Sequence, residues 1–162
     1  MKDLDAIRKI YPRVSEIIGK QNEFEFRKIP LEVLANAAQR GTKVHEYCTH
    51  HVLQTLWMAD VEEEYKPYLE AFISWYKENV IETIFTSTRL YDDKKRFTGE
   101  PDMIFVLKDS KRIALTDIKT SANVSKSWAI QLAAYKHLLN FYGYEIDDCI
   151  YFGLGFVYNS SH

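Results

Sequence analysis

The sequence predicts an α/β protein, a mixed central β-sheet flanked by helices, on three observations. Apolar residues recur at helical spacing through the first half of the chain. From Thr83 onward the texture changes to short runs of Thr, Ile, Phe and Val divided by charged turns, which is the pattern of strands. One further helical stretch, 128–141, separates the third of these runs from the last. The order is N-terminal helices, three meandering strands, a helix and a strand.

Taken in turn, the periodic stretch 3–20 breaks at Pro12, which lacks an amide donor and clashes with the preceding turn. Two short helices are predicted there, the second with Ser15 as N-cap, Ile17 and Ile18 facing inward and Gly19 at its end. Pro30 precedes a short helix at 31–39, and Gly41 marks a bend before a second helical pattern with Val44, Cys48, Val52 and Leu56 as its buried stripe. His45 sits beside that stripe. A helix at 68–79 carries Phe72, Trp75 and Tyr76 on its apolar side. Strands follow at 83–91, 97–107 and 112–120, with charged turns at 92–96 and 108–111. In the 128–141 helix, Trp128, Leu132, Tyr135, Leu138 and Leu139 fall on one stripe, and Gly143 stops the pattern. The last strand, 149–158, is softened by Gly153 and Gly155.

A chain of 162 residues with 46% apolar or aromatic side chains fits one domain, 1–162, with a substantial core. A formal net charge of -2 lacks the basic excess of proteins that grip nucleic acid mainly by counterion release. A metal-centred site needs only a few local cations, and Arg40, Lys43, Lys94, Lys95, Arg96 and Lys126 are candidates. Taken singly, 94–96 reads as a solvated turn. Cys48 and Cys149 give neither a disulfide framework nor zinc spacing and read as core residues. No stretch approaches about 18 uninterrupted apolar residues and the acidic start is no signal-peptide opening, so a soluble, cytoplasmic protein without a membrane partner is expected.

The chemistry centres on Asp117-Ile118-Lys119. Successive strand side chains alternate, so Asp117 and Lys119 emerge on the same face as an acid and an ammonium. Gly99-Glu100-Pro101-Asp102 opens the apolar run 103–107 and places a second carboxylate on the neighbouring strand of the same hairpin. Gln131 and Tyr135, four residues apart, are neighbours on a helix surface. Singly, each has an ordinary reading: a satisfied histidine for His45, a turn-closing Asp102, an exposed amide and a core-edge tyrosine.

The ordered set Gly-Thr-x-x-His, Gly-x-Pro-Asp, Asp-x-Lys and Gln-x-x-x-Tyr resembles the PD-(D/E)XK nuclease superfamily, in its RecB-like exonuclease branch, over 11–157. The resemblance implies a restriction-endonuclease-like core. It implies that His45, Asp102, Asp117 and the backbone carbonyl of Ile118 hold a divalent metal, and that Lys119 positions or activates the attacking water. Gln131 and Tyr135 would then meet the nucleic acid near the scissile phosphate, with Thr42 beside His45 in the helix that closes the site. Carboxylate, carbonyl and imidazole donors suit Mg²⁺ or Mn²⁺.

A metal-dependent exonuclease on DNA ends or single strands, working in recombination, repair or replication, is the function this implies. Relatives often carry another acidic residue about a dozen positions before the glycine of Gly-x-x-Asp; here Thr86, Ser87 and Thr88 stand there, with Glu82 a loose substitute, which leaves one or two metal positions open. Two cysteines cannot hold an iron-sulfur cluster. The main alternative is a non-catalytic nucleic-acid-binding or assembly subunit on the same fold. The sequence displays no identifiable oligomer interface.

Overall fold

Pro12 separates the first two helices, α1 (Leu4–Arg8) and α2 (Val14–Phe26), in a computed structural model that describes residues 4–121, 123–153 and 156–159. α2 starts at Val14, where Glu16 Oε2 accepts from the Arg13 N–H at 2.9 Å, and it runs through Gly19 instead of ending there. Nothing stands within 4 Å of a Cβ built on Gly19, and a lone helical glycine costs only about 1 kcal/mol. Ile18 is buried, whereas Ile17, expected inside, is 41% exposed.

The bend predicted at Gly41 is absent. α3 (Leu31–Val52) is one helix, entered from Pro30 and continuous through Gly41, with Val44 and Cys48 buried. It stops at Val52, so Leu56 lies beyond the helix and packs on the same cluster from the following loop. Two 3-10 turns, Met58–Asp60 and Glu63–Tyr65, lead into α4 (Lys66–Asn79), which accepts Pro67 in its first turn.

Among the described residues seven strands follow: β1 (Val80–Thr86), β2 (Leu90–Asp92), β3 (Phe97–Gly99), β4 (Met103–Leu107), β5 (Ile113–Lys119), and, after α5 (Lys126–Phe141), β6 (Asp148–Gly153) and β7 (Phe156–Asn159). The main sheet has the order β1-β4-β5-β6-β7. Its pairs are antiparallel except β5 with β6, which the α5 crossover makes parallel. The sheet is thus mixed, as expected, but two boundaries differ. The expected strands 83–91 and 97–107 each divide, because β2 and β3 form a separate hairpin inserted between β1 and β4. Buried Pro101, which cannot donate to a ladder, stands where the hairpin ends and β4 begins. The expected strand 149–158 divides as well, β7 folding back on β6; Gly155 lies outside the described residues.

The 92–96 turn is only partly a surface feature. Lys94, Lys95 and Arg96 are exposed, but Asp92 is buried and its Oδ1 accepts from the N–H groups of Lys94 and Lys95 at 3.0 and 2.8 Å. Its Oδ2 lies 2.8 Å from His137 Nε2 on α5, which anchors the hairpin to that helix.

Alternation along the strands sorts the core to two faces. On β4, Ile104 joins Val14, Ile18, Leu115 and the α5 stripe, while Met103 and Phe105 join Val44, Leu69 and Phe72 beneath α3 and α4. All five residues of the predicted α5 stripe are buried. Cys48 is fully buried and Cys149 half-buried, and neither is in a disulfide. Among the described residues no helix is long and apolar enough to cross a membrane.

Gly99 is where this packing tolerates least. A Cβ there would stand 2.8 Å from Leu138 Cδ1 and 2.9 Å from Tyr135 Cε1, so β3 can lie against α5 only without a side chain. Gly99→Ala is expected to lower stability by about 1 to 3 kcal/mol, the usual cost of overpacking, read as a lower urea midpoint with unchanged m-value; an unaltered midpoint would mean that this contact is loose.

Candidate active site

β5 supplies the centre of the site. Asp117 and Lys119 share the strand face that carries Leu115 towards α5, and Lys119 Nζ lies 2.6 Å from Asp117 Oδ2. Met103 pairs with Thr116 across the ladder, so Asp102, one step before β4, comes level with the end of β5. There its Oδ2 accepts the Ile118 N–H at 2.8 Å. His45 reaches in from α3, with Nε2 at 3.0 Å from Asp102 Oδ1. Strand end, strand and helix therefore bring His45, Asp102, Ile118, Asp117 and Lys119 to one open cleft of about 510 Å³.

Thr42 also lines this cleft, one turn before His45, its hydroxyl donating to the Ala38 carbonyl at 3.0 Å. α5 closes another side. Lys119 Nζ donates to Gln131 Oε1 at 2.7 Å, and Gln131 Nε2 donates to the Tyr135 hydroxyl at 3.1 Å. Gln131 lines the cleft. Tyr135 does not: at 6% exposure it stands behind Gln131, packed against Gly99, which is not the open position expected of a residue that meets the nucleic acid directly.

Glu100 is the residue that the motifs did not single out. It lines the cleft, held by Arg89 Nη2 at 2.6 Å and by the Ser87 hydroxyl at 3.2 Å. Ser87 N donates to the Asp102 carbonyl at 2.7 Å, tying the same loop to the second carboxylate. The signal was its place two residues before Asp102 with buried Pro101 between them. Of the six candidate cations only Arg40 lines the cleft; Lys43 pairs with Glu62 and 94–96 belong to the exposed turn.

The charges explain the contacts. Asp117 is 2% exposed; burial first, and then the neighbouring Asp102 charge, push its carboxyl up to about 6 against the pull of Lys119 and His45. For His45, burial disfavours the imidazolium, but the Asp102 carboxylate outweighs it and raises the pKa, helped by Asp117 and Glu100. Burial also raises the Tyr135 phenol, which stays protonated at neutral pH. Among the described residues no three His, Cys, Asp or Glu groups are drawn into a ligand cluster; each of the two carboxylates is instead turned onto a basic group, Asp102 to His45 and Asp117 to Lys119. No family model matches this chain, and no curated protein matches it.

The pKa directions fix a pH dependence. A carboxyl raised from about 4 in the unfolded chain to about 6 takes stability away as the pH rises through that window, and a raised histidine loses its contribution as the pH rises through its folded value. In chelator, stability is expected to fall between about pH 4.5 and 7.5, and Asp117→Asn to remove about 2 kcal/mol of that fall. Urea midpoints of both proteins across this range measure it; parallel profiles would show that Asp117 does not titrate there.

Proposed function

We propose that the protein is a metal-dependent DNA nuclease, an exonuclease acting at DNA ends or on single strands, built on a restriction-endonuclease-like core. The observation that carries this reading is the meeting of Asp102, Asp117, His45 and Lys119 at one cleft from three separate elements. The sheet supports it: β1, β4 and β5 run antiparallel and α5 crosses to the parallel β6, the meander, helix and strand expected of that core.

The residues fit a hard divalent cation. Three carboxylates, Glu100, Asp102 and Asp117, and the His45 imidazole line the cleft, and Asp117 Oδ2 and His45 Nε2 are buried without an aligned hydrogen bond despite their close ionic neighbours. His45, Asp102 and Asp117, with the Ile118 carbonyl, would hold Mg²⁺ or Mn²⁺. Bound there, the cation would stabilise charge on the phosphoryl oxygen and lower the pKa of the attacking water.

The chain's own groups supply the rest. Lys119 offers N–H donors beside the carboxylates, where negative charge grows during in-line displacement at phosphorus. Gln131 orients that ammonium through Oε1; the ammonium, a donor only, sets which way the amide points, and the Tyr135 hydroxyl holds it there by accepting from Nε2. The Ile118 N–H holds Asp102 as an acceptor facing the cleft.

The non-catalytic binding subunit is the second reading, favoured by the direct Asp117 to Lys119 pair and the lack of a clustered ligand set among the described residues. End-labelled single-stranded and duplex DNA incubated with Mn²⁺, Mg²⁺ or EDTA separates the two. Cleavage with either metal and none in EDTA is expected, and Lys119→Ala should lower kcat by about 10²- to 10⁴-fold with Mn²⁺ still raising its Tm. Binding without cleavage in every metal would select the second reading, and full activity of Lys119→Ala would overturn the assigned mechanism.

A further inference from the structure

We infer that the cleft continues into a second groove that holds a single-stranded segment of nucleic acid beside the reacting phosphate; this rests on the nuclease reading and names its substrate form. The groove, of about 710 Å³, lies between the α2–α3 junction and the start of α5. It shares Ala37, Ser121 and Trp128 with the catalytic cleft, so the two spaces adjoin.

α3 forms their common wall. Val33, Ala37, Gly41 and His45 recur every fourth residue, which sets them along one face of the helix, Val33 in the groove and His45 in the cleft. At 1.5 Å per residue that face runs about 18 Å. Its middle carries the two smallest side chains, and a Cβ on Gly41 would meet only Thr120 Oγ1, at 3.8 Å, so a polymer can lie close to the helix.

The lining selects the occupant. Among the described residues lining the groove none is acidic, and Lys126 is one of them. Phe26, Ile29, Val33 and Val124 leave 43%, 38%, 54% and 59% of their surface exposed, an apolar wall beside the short polar groups of Ser121, Asn123, Ser125 and Ser127. In the adjoining cleft wall, Arg40 pairs with no carboxylate among the described residues, which leaves its guanidinium charge for a phosphate. A strand with unpaired bases offers both faces this lining needs, phosphates for Arg40 and Lys126 and flat apolar surfaces for Phe26 and Val33. A duplex hides its bases in the stack and would leave the apolar wall unmet.

The test is fluorescence anisotropy of the full chain in EDTA with a labelled oligothymidine and with a labelled hairpin duplex. Tighter binding of the single strand is expected, with Val33→Glu, Lys126→Glu and Arg40→Gln each weakening it at least tenfold. Val33 and Lys126 are exposed, and a carboxylate in the first turn of α5 suits the helix dipole, so thermal melting should be unchanged in those two variants. Equal affinity of Val33→Glu, Lys126→Glu and the parent chain would overturn the proposal, as would equal binding of the duplex. So would light scattering that shows a dimer dispersed by Val33→Glu. A parent chain that binds as expected yet cleaves nothing with Mn²⁺ would sink the nuclease reading and leave the groove standing; cleavage with unaffected groove variants would do the reverse.

Discussion

A carboxylate with almost no access to water, Asp117, is the constraint around which this molecule is arranged. Burying an unpaired charge costs several kcal/mol, so the fold must bring cations to it or leave it protonated. Both responses are visible. Lys119 lies against it two residues along the strand, and its carboxyl is nonetheless held above the ordinary range by burial and by Asp102. A second carboxylate next to the first is a poor device for stability and a good one for gathering positive charge. His45, drawn in from α3 onto Asp102, is part of the same response. The pairwise contacts of the site are the balance these groups strike among themselves.

That balance is coupled to the core through one chain of contacts. Lys119 is oriented by Gln131, Gln131 by Tyr135, and the Tyr135 ring is seated on Gly99, where no side chain can fit. The glycine that opens Gly-Glu-Pro-Asp therefore acts at a distance from Asp102. It lets α5 approach the β2–β3 hairpin, and α5 in turn sets the ammonium. Asp92, buried and bonded to the hairpin's own amides and to His137, fixes the same hairpin from its other end. Packing and chemistry share these residues, so a change in the hairpin is felt at Lys119.

Much of this was legible in the residues, for reasons that differ by element. The α5 stripe was readable because five large apolar side chains repeat at one period without interruption, and the Asp117 and Lys119 face followed from strand alternation alone. Gly19 and Gly41 misled in the same way: a lone glycine signals a helix end only when packing or a left-handed turn agrees, and at neither position does it. The β2–β3 hairpin was hidden because the contacts with α5 that hold it off the main sheet have no local signature, and Pro101, which breaks the chain before β4, marks only one of its ends. Glu100 was missed for a related reason. Alternation places residues only within strands, and 99–102 bridges two of them, so its position depends on Arg89 and Ser87.

The irregularity at 99–102 is also what gives the site its depth. Had the chain continued as one strand through 97–107, Asp102 would have entered a ladder, with its direction set by the pleat. Instead it sits just outside β4, free to turn one oxygen to the Ile118 amide and the other to His45. Pro101 makes the break and is itself buried, which leaves Glu100 and Asp102 on the open side. The cleft thus exists because the sheet is interrupted there, and Arg89 neutralises the extra carboxylate that the interruption exposes.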